Sequence, residues 1–456
     1  MQRRRFLGSI AGVGAAGMFG GCLGFTRTDP KTEAGTTETL GISDPAQITS
    51  ATSSLPKAVH DSASETTYLT YVEPAEGGGK DLFLKRSSDG GETWSEATRV
   101  NETDGFVDSS KSAPQQLDVA TDGTLCVSWD SHYPEAEEYE YGKSSIRFAR
   151  STDGGRSFEV TTVGPKVDET PATRDYHNLA VAPDGKLYVA TLQSASATSS
   201  GRSIRVMWST DGGRSWTSSA GDLGVNVDPD SPACPCCRPA LAAGSDGTVY
   251  VSWRKVYPSD EMDIRDHVVA YSTDGGRTWG TPVKFYDHNW HYDGCPHSGP
   301  DIGLDGDGRL HATWFSGSTD DYGVYYGVST DHGRSWPDDP VSIFTPEYAP
   351  ITQPALHVAP NGDAWVAYEG LLGENSDSHM GHTGTTNEST DRDNSSTSHG
   401  SGGGTIVQLT KVTSDGGIVE FSDVDLHGHN PHLTSVTDGT GIVWRGNDKR
   451  GYFSTF

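Results

Sequence analysis

Apolar residues along this chain come in short paired runs separated by a polar turn. The strings QQLDVATDGTLCVSW (115–129), HNLAVAPDGKLYVAT (177–191), PALAAGSDGTVYVSW (239–253), PDIGLDGDGRLHATW (300–314) and PALHVAPNGDAWVAY (354–368) superimpose without gaps. In each, two apolar runs flank an Asp-Gly or Asn-Gly pair, the residues that best tolerate the backbone angles of a tight hairpin turn. KAVHDSASETTYLTY (57–71) fits the same frame without Asp-Gly, and PHLTSVTDGTGIVW (431–444) fits with one residue fewer. The pattern predicts seven β-hairpins.

A second motif follows six of them. It reads SSDGGETW (87–94), STDGGRSF (151–158), STDGGRSW (209–216), STDGGRTW (272–279) and STDHGRSW (329–336), with a fainter TSDGGIVEF at 413–421. The spacings of 64, 58, 63, 57 and 84 residues exceed a solenoid unit and suit a four-stranded sheet with its loops, repeated radially. Asp89, Asp153, Asp211, Asp274 and Asp331 can accept hydrogen bonds from their own turn. Glycine supplies the positive φ, and the closing Trp or Phe packs under a neighbouring sheet. The octapeptide resembles the Asp box of the sialidase superfamily. The resemblance implies an all-β fold, a β-propeller of four-stranded antiparallel blades. The hairpins number seven, whereas sialidases have six blades, so a six-bladed reading with one irregular end stays open. The last unit ends in GYFSTF, enough for a third strand only. Its fourth is expected from Ala46 to Thr52, which would leave no open sheet edge.

Composition bounds the partners. The 456 residues carry a net charge of −28, and no basic stripe suits a nucleic acid. Acidic excess with scarce Lys resembles halophilic, haloarchaeal proteins. Arg3-Arg4-Arg5-Phe6-Leu7 matches a twin-arginine export signal, and Phe19-Gly20-Gly21-Cys22 resembles a lipobox, making Cys22 the expected lipidation site. The expected organisation is a signal over 1–22, a disordered tether over 23–46, a propeller over 47–456 and a disordered polar insertion over 374–404. The chain is read as an exported monomer, lipid-anchored on the outer face of the cell membrane.

Candidate chemistry gathers in the loops before the first strand of each hairpin and at the ends of the second strands. These carry Arg174-Asp175-Tyr176-His177, Cys234-Pro235-Cys236-Cys237-Arg238, a loop with His288, His291, Asp293, Cys295 and His297, and His427 to His432. Second strands end toward the same face in Asp130, Arg254 and Glu369. Cys126 sits at a core position of its hairpin. The remaining cysteines, Cys234, Cys236, Cys237 and Cys295, allow two readings: a disulfide to Cys295, or a Cu or Zn site with His291 and His297. No cofactor is certain from the sequence.

Sialidases hold a substrate carboxylate with three arginines and use a tyrosine nucleophile with carboxylate partners. The resemblance therefore implies an acidic glycan as partner, with Arg174, His177, Arg238, Arg254 and Arg445 as substrate contacts. By the same resemblance Tyr176 is the nucleophile, and Asp175 and Glu369, or Asp130, are the acids. The first-blade arginine of the family has no counterpart, since Leu55-Pro56-Lys57 stands in its place. Glycoside hydrolysis, glycan binding, a metal-bearing propeller and a surface scaffold all remain open functions.

Overall fold

The computed structural model describes residues 36–456 except 51, 133–143, 165–173, 195–201, 218–224, 226–230, 261, 295, 344–347, 351–352, 373–404, 422–423 and 438. The expected signal, the lipidated Cys22, the first part of the tether, the insertion and Cys295 therefore lie outside the described residues. Every regular element among the described residues is a strand.

Each predicted hairpin forms, and each takes a third strand. The first repeat runs Ser54–Asp61, Thr66–Pro74, Lys80–Ser87 and Thr98–Arg99, each antiparallel to the next. The second, fourth and fifth repeats build four-stranded sheets in the same order, and the third shows three strands. The sixth and seventh share a ten-stranded network, because Thr405–Val412 also pairs with the start of Leu426–Val436. Ala46–Gln47 pairs antiparallel with the final strand, Gly451–Thr455, as the missing fourth strand requires. Thr36–Glu38, within the expected tether, pairs in parallel with Ile418–Phe421.

The first strands lie side by side. Ser54–Asp61 touches Gln116–Val119, which touches Arg174–Val181, and contact passes on through Ala240–Ala243, Asp301–Leu304 and Ala355–Val358 to Leu426–Val436. The last of these returns to Ser54–Asp61. The core follows the same succession as a series of layers between adjacent sheets. Leu84, Leu125 and Trp129 fill one layer, Phe148, Leu187 and Val189 the next, and Trp444 with Leu409 the layer between repeats six and seven. Val443 and Phe453 pack on Leu69 and Tyr71, so the last repeat meets the first. Each layer buries aromatic and branched side chains from two sheets, which is how small sheets gain stability that none has alone.

The octapeptide turns tie these layers together. In the third copy the Ser209 hydroxyl accepts the Gly213 N–H, and Asp211 accepts the Ser215 N–H and hydroxyl. The copies at Asp89, Asp153, Asp274 and Asp331 repeat the bond to the residue four places on. Their acceptor-only role holds these carboxyls below the ordinary carboxylate range, with Asp89, Asp211 and Asp274 at about 2. Gly213 has φ +83°, and a Cβ there would overlap the Phe148 ring of the preceding repeat. The closing aromatic reaches the same way: Trp216 meets Phe148 at 5.2 Å and Trp94 meets Phe453 at 5.5 Å.

Candidate functional site

A cavity of about 420 Å³ opens where the first strands converge, and every repeat contributes to its wall. Its charged lining consists of Lys57, Arg238, Asp301, Lys111 and Glu369, with His297 and His432 beside them. Gln116 organises this set. Its amide nitrogen donates to the Pro114 carbonyl, which points its oxygen at the cations. That oxygen accepts from Lys57 Nζ at 3.0 Å and from Arg238 Nη1 at 3.3 Å. Two cations thus share one neutral acceptor. Asp301 supplies the nearby negative charge, although its oxygens already accept the Ile302 and Leu356 N–H groups.

The electrostatics follow from that crowding. Burial, then repulsion from Arg238, lowers the Lys57 ammonium to about 7, with Asp301 opposing. Burial lowers Arg238 and raises Asp301. His432 is held well below its usual value by burial, with Lys57 and Arg238 adding repulsion. Two buried polar atoms on these side chains have no hydrogen-bond partner, Arg238 Nε and His432 Nδ1. A buried donor without a partner is costly.

Glu369 reaches the same cavity from the end of the second strand of repeat six. Burial would raise its carboxyl, but His429, Lys111 and the Asn430 N–H outweigh burial and keep it below its usual value. Lys111 Nζ lies 2.9 Å away and the Asn430 N–H 2.6 Å away. Glu369 is therefore a clasp on the next repeat as well as part of the wall. Asp130, at the equivalent position of repeat two, does the same to repeat three: Oδ2 accepts the Tyr176 N–H and Oδ1 accepts from His177 Nδ1 at 2.6 Å.

Arg254 and Arg445 occupy that position too, with the opposite charge and the opposite partner. Arg254 donates to the carbonyls of Ser298, Arg265 and Phe315 at 2.7–3.1 Å and lies 4.6 Å from the Trp290 ring. It is 1 % exposed. Arg445 Nε donates to Ser53 O, tying repeat seven to repeat one. Acids at this position take the neighbour's N–H groups and the arginines take backbone carbonyls, those of Ser298 and Phe315 in the next repeat and of Arg265 in the same one for Arg254. Arg254 and Arg445, expected as substrate contacts, both hold backbone carbonyls and do not line the cavity.

The remaining candidates sit away from the cavity wall. Arg174 donates to Gln193 and to the Val163 carbonyl. His177 is fully buried between Asp130 and Ser128. Asp175 pairs with Arg202 at 2.5 Å, yet burial still pushes its carboxyl up to about 7. Tyr176 has φ +53°, strained for an aromatic residue, and packs against the cysteines. Burial raises its hydroxyl further from ionisation. No tyrosine is among the described residues lining the cavity; of the residues implied by the resemblance, Arg238 and Glu369 line it, whereas Tyr176 and Asp175 do not.

The cysteines form a separate cluster. Cys234 Sγ lies 3.7 Å from Cys236 Sγ and 3.4 Å from Cys237 Sγ, and Arg265 Nη1 donates to it at 3.2 Å. The two neighbouring thiols, then Arg254 and Arg265, hold Cys234 well below the usual thiol value against burial. His291 Nδ1 meets the Met262 carbonyl and His297 Nδ1 the Ser112 hydroxyl. Among the described residues, only the three sulfurs come together closely enough to share an ion, without either imidazole. Cys126 is buried in the layer between repeats two and three.

No protein-family model and no curated protein sequence matches the chain. Solved structures similar to it include an α-L-arabinanase of Penicillium chrysogenum complexed with arabinobiose, at 12 % identity and a TM-score of 0.48, over 92 % of this chain and 98 % of that one. A protein of unknown function from Dyadobacter fermentans has 16 % identity and a TM-score of 0.47, over 72 % and 94 %. A Hadza microbial sialidase has 14 % identity and a TM-score of 0.45, over 89 % and 65 %.

Proposed function

We propose that the protein is a seven-bladed β-propeller that binds an acidic carbohydrate in its central cavity, with Arg238 and Lys57 taking the carboxylate. The unbroken succession of first strands, with the last beside the first, supports the blade number. The observation that carries the ligand reading is the pair of buried cations on one Gln116 oxygen, with Arg238 Nε unpartnered. A carboxylate would satisfy that nitrogen and add charge-assisted bonds to both cations. Asn178, Gln353 and His432 in the wall offer amide and imidazole groups to sugar hydroxyls.

Calorimetric titration against uronic acids, sialic acids and their neutral counterparts tests this. Acidic sugars bind and neutral ones do not, and Arg238→Ala weakens binding roughly tenfold or more. Absence of binding across the acidic panel, or unchanged binding by folded Arg238→Ala, overturns it. The near-neutral Lys57 favours a second reading, turnover of the bound glycan with Lys57 carrying a proton. Product analysis after incubation decides that: turnover abolished in Lys57→Met supports it, and intact glycan with wild-type protein removes it. Export and anchoring through Cys22, supported by the twin-arginine run and Gly20-Gly21-Cys22, complete the proposal. Release of Cys22→Ser protein into the medium is the expected outcome.

A further inference from the structure

Three thiols converge before the first strand of repeat four, outside the cavity that the proposed glycan would use. We infer that Cys234, Cys236 and Cys237 form a three-thiolate site for a thiophilic d¹⁰ cation, Zn²⁺ or Cu⁺. The reading stands independently of the carbohydrate proposal, since none of the three cysteines lines the cavity.

The spacing is that of ligands around an ion. The three Sγ atoms all lie within 4.8 Å of one another, with edges of 3.4 and 3.7 Å at Cys234. Zinc–sulfur bonds of about 2.3 Å in a tetrahedron place sulfurs about 3.8 Å apart. A disulfide needs about 2.05 Å. The sulfurs thus stand at the edge length of a metal site rather than at bonding distance to each other. Their exposures are 1, 4 and 1 %, so the ion would be shielded from bulk water and competing ligands.

The backbone holds this geometry firmly. The Cys234 N–H donates to the Arg254 carbonyl, the Ala233 N–H to Arg202 O and the Val256 N–H to Pro232 O. The segment before the cysteines is thereby stitched to both the third and the fourth repeat. Charge favours a cation as well. Three buried thiolates carry −3, of which the neighbouring Arg265, 3.2 Å from Cys234 Sγ, and Arg254 offset only part, and a cation offsets the rest. Zn²⁺ matches the sulfur spacing, and Cu⁺ suits the trigonal count of three soft ligands. Arg265 also donates through Nε to the Tyr292 carbonyl at 2.8 Å, which fixes its guanidinium against the cluster. It is a positioning residue for the thiolate rather than a ligand.

The test uses the full chain, loaded in parallel with Zn²⁺ and, under reductant, with Cu⁺, then desalted. Elemental analysis should find about one ion per chain for the preferred metal. X-ray absorption of that wild-type sample should show sulfur neighbours, at about 2.3 Å for zinc. Affinity should fall more than about 100-fold in Cys236→Ser and Cys237→Ser and about 10–100-fold in Arg265→Met, and stay unchanged in Cys126→Ser. Preference for either ion supports the site and names its occupant. Failure to retain either ion, a Cys234–Cys237 disulfide by mass spectrometry, or only oxygen and nitrogen neighbours in the wild-type spectrum overturns it. The spectroscopic readout holds even where a cysteine variant fails to fold.

Discussion

Two sets of charged side chains surround the convergence of the first strands, and they differ in what they touch. Asp130, Arg254 and Arg445, at the ends of second strands, are bound to the backbone of the following repeat. Lys57 and Arg238, on the segments that begin first strands, share a single neutral oxygen and leave one nitrogen unpartnered. A buried charge whose hydrogen bonds are complete is part of the frame, while one left incomplete inside a cavity is available to a ligand. Glu369 belongs to both sets, clasping Asn430 and lining the cavity.

The sharpest way to break this comparison is to exchange the expected phenotypes. Arg254→Ala leaves three carbonyls without their cation and removes the stack on Trp290. It should cost at least about 3 kcal/mol, read as a lower urea midpoint. Arg238→Ala should instead lose about 1.5–3 kcal/mol of anion affinity in calorimetric titration, with a much smaller change in melting. If Arg254→Ala impaired only binding, or Arg238→Ala only stability, the assignment of the two sets would be reversed.

The octapeptide turns offer a third comparison, a region that contributes frame alone. Gly213→Ala meets both a φ of +83° and the Phe148 ring, so it should destabilise by about 1–3 kcal/mol. Affinity for an acidic sugar should be unaltered in the folded fraction.

The most gradual effect is in pH, and its sign separates binding from stability. Folding lowers Lys57 from 10.5 to about 7, so the folded state penalises the ammonium. That penalty is fully present below about 7 and is relieved as pH rises toward 10.5, so this group's contribution to stability climbs through that window. Affinity for an anion runs the other way, falling above pH 7 by at most about tenfold per unit as the charge is lost. Denaturation and titration series on wild type and Lys57→Met should show both slopes in the wild type and neither in the variant. A wild-type affinity that rises with pH would remove Lys57 from the site.

Much of the frame was legible in the sequence. Hairpins around Asp-Gly, the turns built on Ser and Asp, and the pairing of Ala46–Gln47 with Gly451–Thr455 follow from local turn chemistry and a repeat count. The face that gathers Arg238, Glu369 and His297 also followed from the register. What the sequence did not show is the direction of each side chain there. The first strands of repeats one, three and seven carry register shifts between Ser54 and Lys57, Asp175 and Asn178, and His429 and His432. Leu55, Tyr176 and Asn430 take positive φ within them. One extra residue in a strand turns the following side chains to the other face. Lys57, noticed only as the place of an absent arginine, therefore lies on the cavity floor. Tyr176, the expected nucleophile, faces the cysteines. Arg254 and Glu369 occupy equivalent positions, and only their partners tell them apart.

The central claim is that Arg238 binds an anion while the clasp arginines Arg254 and Arg445 do not. Titration of an acidic sugar into folded Arg238→Ala and Arg445→Ala, side by side with wild type, tests it most directly. The account predicts affinity reduced about tenfold or more in Arg238→Ala and wild-type affinity in Arg445→Ala, with the latter melting earlier. Equal affinity in wild type and Arg238→Ala, or loss confined to Arg445→Ala, would contradict it.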